Sequence, residues 1–446
     1  MKKFFILIPL ALLWMTTSSA FAKEIVTLTW NDVVGISRLD NLDLKAARQD
    51  YRYQRLNEWK ALSDFVPSIS YSFRAVNNIE LPEFVFMGQR IRVGTEYNFT
   101  HVFELQYPIF TGGLRFANWR IQRNLKKSLS EELRNKEDDV VSSALESYFN
   151  IMLANELIDV NQRAYQAAKA NLDQVEKFYK VGAASQLDYL RAKSRYSSTI
   201  PQLSSAKNAR KLAEQNLKFI LNLPPQDSLV VLDTLKKIDF LGNFQNADLA
   251  NLRQTALQER PDLKGAQYQR NATKDQKLAS ASQFLPSVVF TSDIQQQAQL
   301  NTSQVAWDDY TRIKSAAISI QFPLFQGGKR ALNYQQARIQ DKKAGIQLDQ
   351  FKRSILLDVE NGYNQFQEAD KNLASLLQTK QEAGEALRLA NLTYEEGIST
   401  QVDVLGAQLS FTGSEVNYQQ GIFNYNVSQL HLLKAIGKLN IIWNKN

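Results

Sequence analysis

The chain repeats itself, and that constrains its fold more than any other feature. Asp43-Leu44-Lys45 returns as Asp262-Leu263-Lys264, and Phe65-Val66-Pro67-Ser68 returns as Phe284-Leu285-Pro286-Ser287, both at an offset of 219. Further along, Tyr107-Pro108-Ile109-Phe110-Thr111-Gly112-Gly113 returns as Phe322-Pro323-Leu324-Phe325-Gln326-Gly327-Gly328 at an offset of 215. Tyr179, Gly182, Gln186, Asp188 and Leu190 return at that same offset of 215 as Tyr394, Gly397, Gln401, Asp403 and Leu405. So ordered a set makes the chain two copies of one unit. The four-residue difference falls between Ser68 and Tyr107, where a loop of variable length absorbs it. The expected layout is a first repeat over 23–222, a linker over 223–246 and a second repeat over 247–446.

Before the repeat lies an export signal. Lys2-Lys3 is a charged start, Phe4 to Trp14 is almost unbroken apolar sequence, and Ala20-Phe21-Ala22 is a small-x-small cleavage site. Residues 1–22 therefore read as a signal peptide, too short in its apolar part for a span of ~20 residues. The charge of +8 drops to +6 without Lys2 and Lys3, and its basic residues are interspersed with acidic ones, which argues against nucleic acid. With no cysteine, and only His101 and His431 as histidines, the chain offers no disulfide framework or thiolate site, and no cofactor or metal is expected.

Each copy reads as helix, two strands, then a helical hairpin. Thr29 with Asp32 has capping-box spacing before a helical stretch to about Asp64, and Asp248 opens the equivalent stretch in copy two. Prolines Pro67 and Pro286 end these helices. Ile69, Tyr71 and Phe73 then alternate with Ser70, Ser72 and Arg74, and Phe99, Phe103 and Leu105 alternate with Thr100, Glu104 and Gln106. Copy two supplies Val288, Phe290 and Ile294, then Ile318 and Ile320 against Ser319 and Gln321. This period of two predicts strands over 67–76, 94–108, 286–295 and 311–325. An edge strand of a soluble sandwich shows the same pattern. The signal peptide and the strand lengths favour membrane-barrel strands, apolar towards lipid and polar towards the lumen.

After each glycine pair the period changes. Gly113 to Tyr179 and Gly328 to Tyr394 contain no proline, and Val141, Leu145, Tyr148 and Met152 step as a heptad seam, as do Val359, Tyr363 and Phe366. Nearly 70 residues of helix would reach ~100 Å. The expected helical hairpins cover 113–222 and 328–436, with a C-terminal tail.

Four strands per chain cannot close. A membrane barrel needs at least about eight, and an open sheet in lipid leaves unpaired backbone groups costing several kcal/mol each. The barrel must be shared: two copies give eight strands and three give twelve.

The doubled Pro-x-Phe-x-Gly-Gly junction resembles that of the TolC family of outer-membrane efflux factors. So do the doubled turns Gly182, Ser185, Asp188 and Gly397, Thr400, Asp403, and the Leu28-Thr29 start. The likeness covers about Lys23 to Ile436. Two departures stand out: Leu42 lies where the family often has proline, which Pro261 keeps, and Gly406 replaces a further gate carboxylate found in some members. The resemblance implies a mainly α chain with membrane β: long antiparallel coiled-coil helices form a periplasmic α-barrel below a shared twelve-stranded β-barrel. It further implies a homotrimer in outer-membrane lipid, docked to a periplasmic adaptor and an inner-membrane pump. The function it implies is a passive exit duct for efflux or type I secretion, and not an enzyme.

Particular residues follow from this reading. Gly182, Ala183 and Ser185 at one tip, and Gly397, Ile398, Ser399 and Thr400 at the other, are the expected adaptor-docking residues. Ser185 to Asp188 and Thr400 to Asp403 both have capping-box spacing, so Asp188 and Asp403 first of all start the return helices; threefold symmetry would also gather them as a periplasmic gate attractive to cations. Gly112-Gly113 and Gly327-Gly328 lack P-loop spacing and read as strand-to-helix turns. The greasy stretch Leu81 to Met87 suits a membrane-edge or extracellular loop. The rival readings are a coiled-coil structural or adhesive protein, which does not need amphipathic strands, and an envelope hydrolase, which needs a nucleophile and base not found here.

Overall fold

The computed structural model describes residues 25–443, and the expected signal peptide lies outside the described residues. The first repeat comprises β1 (Ile25–Leu28), α1 (Trp30–Asp40), α2 (Leu42–Ser63), β2 (Ser68–Asn77), β3 (Glu83–Phe86), β4 (Gln89–Arg92), β5 (Tyr97–Thr111), α3 (Leu114–Lys180) and α4 (Gln186–Leu221). After β6 (Ser228–Val231), the second comprises α5 (Leu249–Glu259), α6 (Pro261–Ser282), β7 (Ser287–Leu300), β8 (Thr311–Gln321), α7 (Lys329–Glu395) and α8 (Gln401–Ala435). At 67 residues each, α3 and α7 run ~100 Å and are the long members of two antiparallel hairpins.

The repeat holds down to hydrogen-bond register. Ser68 faces Gln106 in the β2–β5 pair, and Ser287 faces Gln321 in the β7–β8 pair. The offsets 219 and 215 carry the first pair onto the second. The Lys126–Glu58 ion pair of copy one, at 2.5 Å, returns with its charges exchanged as Lys277–Asp341, also at 2.5 Å. Between the copies β5 pairs with β7, giving an antiparallel sheet in the order β2-β5-β7-β8.

The expected helix from Thr29 to about Asp64 is in fact two. Asn41 takes an extended ψ of 129°, and its side chain accepts the Leu44 N–H at 3.1 Å, so one residue breaks the first helix and caps the next. In copy two Arg260 has the same geometry because Pro261 follows it. The absent proline at Leu42 is thus replaced by a side-chain cap. Strand limits also differ from expectation. β5 continues past Pro108, which has no N–H to give, through an irregularity between Pro108 and Phe110. β7 runs to Leu300, because the glutamines at 295–297, which blur the alternation, still pair on both sides. β8 stops at Gln321, short of Pro323, instead of reaching 325. Leu81 to Met87 is not a plain loop: Phe84 faces Ile91 in the β3–β4 hairpin, turned at Met87 and Gly88 with φ of 49° and 80°.

The core sits at the middle of the helices. Leu28, Val141, Leu145, Tyr148, Phe149, Leu217, Leu241 and Leu430 are all at most 1% exposed. Each such side chain contributes about 1.5–3 kcal/mol. The 223–246 segment adds a strand that sequence reading did not expect: β6 lies parallel to β1, with Ile25 opposite Ser228. Tyr148 ties it down, its hydroxyl donating to Asp233 Oδ2 at 2.7 Å and placed 3.1 Å from the Leu28 carbonyl oxygen. The four-stranded sheet is the opposite case. Among its described residues Ala298 alone is buried.

Candidate functional site

The sheet has two chemically distinct faces. Register puts Tyr71, Phe103, Ile294 and Lys314 in one row across the strands, and Ile69, Leu105, Ser292 and Ala316 in the next. That face continues with Tyr107, Phe290 and Ile318. Near its loop end, His101 Nδ1 lies 2.9 Å from the Tyr71 hydroxyl and Nε2 lies 3.2 Å from that of Tyr310. The opposite face carries Ser72, Arg74, Thr100, Glu104, Asp293 and Ser315, with the Ser315 hydroxyl donating to Asp293. One greasy and one wet face on a sheet with two open edges suit lipid outside and water inside.

The strand-to-helix turns need glycine for backbone reasons. Gly112 and Gly113 have φ of 62° and 85°, and Gly327 and Gly328 have 57° and 78°. The left-handed region favours residues without a Cβ. Gly112 is also crowded: a Cβ there would lie 2.5 Å from the Ser282 carbonyl oxygen and 2.9 Å from Leu285 Cβ. A conserved-by-repeat arginine completes each turn, which sequence reading missed. Arg115 donates to the Asp64 and Ile109 carbonyls at 3.0 and 3.1 Å, and Arg330 to those of Gln283 and Leu324 at 3.1 and 3.0 Å. Their spacing of 215 was the available signal.

At the far ends of the hairpins, Gly182 and Gly397 have φ of 77° and 74°. The Ala183 N–H returns to the Phe178 carbonyl at 2.7 Å and the Ile398 N–H to that of Thr393 at 2.8 Å, closing both helices in the same left-handed cap. Ile398 is left 78% exposed, and Ser399 Oγ donates back to the Ala390 carbonyl at 3.3 Å. Both tips thus present an outward turn, with Ser185 and Thr400 starting the return helices.

The two aspartates differ. Thr400 and Asp403 form the full capping box, the Thr400 N–H reaching Asp403 Oδ2 at 2.8 Å. Bonds from the Thr400 hydroxyl and amide hold the Asp403 carboxyl below the usual carboxylate range. It is exposed and has no ion-pair partner among the described residues. Ser185 caps through its hydroxyl, accepting the Asp188 N–H at 3.1 Å, but the return bond expected of a capping box is not formed. Asp188 instead lies half-buried, 3.5 Å from Arg191. Burial, and then the Asp188 carboxylate, pushes the Tyr394 phenol above its ordinary value. No bond joins Asp188 to Asp403 within the chain.

Sequence reading also missed what joins the hairpins. Glu415 on α8, nearly buried, takes Arg163 of α3 at 3.0 Å and Lys380 of α7 at 3.9 Å. Nearer the tips, Gln401 Nε2 donates to Asn171 Oδ1 at 2.6 Å. Among the described residues no helix is long and apolar enough to cross a membrane, and no cluster of His, Cys, Asp or Glu could hold a metal.

A family model described as "Outer membrane efflux protein" matches residues 34–223 and 252–438, one match per repeat. The chain is 22% identical over 418 residues to "Outer membrane protein TolC" of Escherichia coli (strain K12), covering 91% of this chain and 81% of the relative. It is 19% identical over 345 residues to "Alkaline protease secretion protein AprF" of Pseudomonas aeruginosa, covering 77% of this chain and 70% of the relative. Among solved structures, the Campylobacter jejuni CmeC outer membrane channel superposes with a TM-score of 0.80 at 17% identity, covering 92% of this chain and 86% of that one.

Proposed function

The chain belongs to the outer membrane efflux protein family, and from that premise we propose that it is the outer-membrane exit duct of an efflux or type I secretion machine. One observation carries the reading: a four-stranded sheet, greasy on one face and wet on the other, sits at the end of helices ~100 Å long. Its open edges are β2 and β8, which run in opposite directions. A rotation axis therefore sets β8 of one copy antiparallel to β2 of the next. Three copies close twelve strands, with no edge left in lipid.

The duct itself is passive and performs no catalysis. Driving energy comes from an inner-membrane pump, and a periplasmic adaptor engages the helix tips at Gly182, Ala183 and Ser185 and at Gly397, Ile398, Ser399 and Thr400. Asp403, exposed and unpaired, contributes three negative charges around the axis. Asp188 is partly neutralised by Arg191. Mature protein lies in the outer membrane of a Gram-negative envelope.

The absence of cysteine makes a direct test possible. A single Ile398→Cys, treated in cells with a short thiol-to-amine crosslinker, should capture a periplasmic adaptor. Ile79→Cys, 93% exposed in the loop beyond β2, should capture none. Equal capture by both variants, or none from Ile398→Cys in well-expressed protein, would overturn docking at the tips.

A further inference from the structure

Strand β8 departs from its repeat at one end. Along the greasy face its residues run Ile320, Ile318, Ala316, Lys314 and Arg312 towards the loop. The residues 215 earlier, on β5, are Leu105, Phe103, His101, Phe99 and Tyr97. Where the first repeat ends this face in aromatic rings, the second ends it in two cations. The shared architecture does not require them, since β5 builds the equivalent strand without them.

Their height on the sheet follows from strand geometry. Ten residues separate Arg312 from Phe322, which follows β8 at the helix end and is exposed. At ~3.4 Å per residue and a tilt of about 40°, that is ~26 Å along the membrane normal. An outer-membrane barrel carries an apolar band of ~25 Å. Phe322 thus marks the lower edge of the band, and Arg312, with Lys314 just below it, marks the upper edge. A long basic side chain there lays its methylene stem on the apolar surface and keeps its charge among the headgroups.

Rings suited to the same depth stand beside them. Register aligns Tyr71, Phe103, Ile294 and Lys314, and in the next row Phe73, His101, Gln296 and Arg312. From the loop, the Trp307 and Tyr310 rings lie 6.1 Å and 5.1 Å from that of His101, and Trp307 is 76% exposed. Tyr and Trp gather at membrane–water boundaries because each has an apolar body and a polar tip. The His101 nitrogens are engaged by the Tyr71 and Tyr310 hydroxyls, which leaves Arg312 and Lys314 as the donors at this level. Neither forms an ion pair among the described residues. The sheet carboxylates Glu104 and Asp293 lie on the wet face, and Asp309 in the loop accepts the Ala306 N–H. A lysine on a sheet edge also discourages stray pairing, but that purpose is served at any height and on either face.

We infer that Arg312 and Lys314 form a binding site for the phosphate groups of a phosphorylated outer-leaflet glycolipid, whose sugar rests on Trp307 and Tyr310. The guanidinium takes phosphate through two parallel hydrogen bonds, and the ammonium adds a point charge. The inference rests on the outer-membrane duct reading above and adds a lipid partner to it.

The test uses the full-length protein purified in detergent and titrated with bisphosphorylated lipid A or its dephosphorylated form, with bound lipid counted by native mass measurement. The parent should prefer the phosphorylated lipid by about tenfold or more. Arg312→Gln with Lys314→Gln should lower affinity for it about tenfold to thirtyfold and leave binding of the dephosphorylated form unchanged. Exchanging the cations, Arg312→Lys with Lys314→Arg, should keep the preference. Arg74→Gln, which removes a cation from the wet face of β2, should keep it too. A preference that persists in the double glutamine variant, an equal loss in Arg74→Gln, or equal displacement by inorganic phosphate overturns the site and leaves the duct reading standing. Protein missing from the outer-membrane fraction overturns both.

Discussion

The glycine pair between β5 and α3 separates two costs that are usually mixed. Gly112 and Gly113 both sit at positive φ, 62° and 85°, so alanine at either costs about 1–2 kcal/mol in backbone conformation. Only Gly112 is also crowded. A Cβ there would stand 2.5 Å from the Ser282 carbonyl oxygen and 2.9 Å from Leu285 Cβ, whereas nothing lies within 4 Å of one at Gly113. The Ser282 oxygen belongs to the backbone end of α6 and cannot swing aside. Relieving the overlap must shift the junction between the repeats, at about 1–3 kcal/mol. Gly113→Ala should therefore lose about 1–2 kcal/mol and Gly112→Ala about 2–5 kcal/mol. Urea titration of the purified protein in detergent, followed by helical circular dichroism, reads both. Equal losses, or a neutral Gly112→Ala, would show that the two repeats are not closely packed at this turn.

Two further predictions concern charge. Asp138, 8% exposed, is pushed up to about 7, first by burial and then by Glu137, with Asp139 adding to it. Its folded pKa lies above its unfolded value of 3.8, so stability is greatest below that value and falls as pH rises towards about 7. Asp138→Asn should accordingly stabilise the protein at pH 8, by an order of 4 kcal/mol, and have little effect at pH 4, as thermal melts at the two pH values will show. At the tip, Asp403→Asn keeps much of the cap and removes three charges per ring. In planar bilayers it should reduce cation selectivity and weaken block by divalent cations, with a smaller effect from Asp188→Asn because Arg191 already faces that carboxylate. Unchanged selectivity in both variants would leave the two aspartates as helix caps alone.

What could be read from sequence was what is local or repeated. The tip turns need only the six or so residues around Gly182 and Gly397, and their caps follow from glycine and Ser or Thr placement. The alternation of Ile69, Tyr71 and Phe73 marks its own strand, since each residue declares its face. Pairings between distant segments left no such trace. β1 and β6 are four residues each and join positions about two hundred apart, so neither has a period of its own to show. Glu415 meets Arg163 across the two hairpins, and a lone carboxylate on a polar helix does not name its partner. Asn41 could pass for an ordinary helical residue until its side chain is seen capping Leu44. Arg115 and Arg330 were legible in principle, lying 215 apart beside the glycine pairs, but a charged residue at a helix start draws less notice than the glycines before it.

The central claim is that four strands with two open edges become a closed wall only when chains share it. Native mass measurement of the unmodified protein, extracted gently from the outer membrane, tests this most directly. The account predicts three chains in each folded particle. A stably folded particle containing one chain would contradict it.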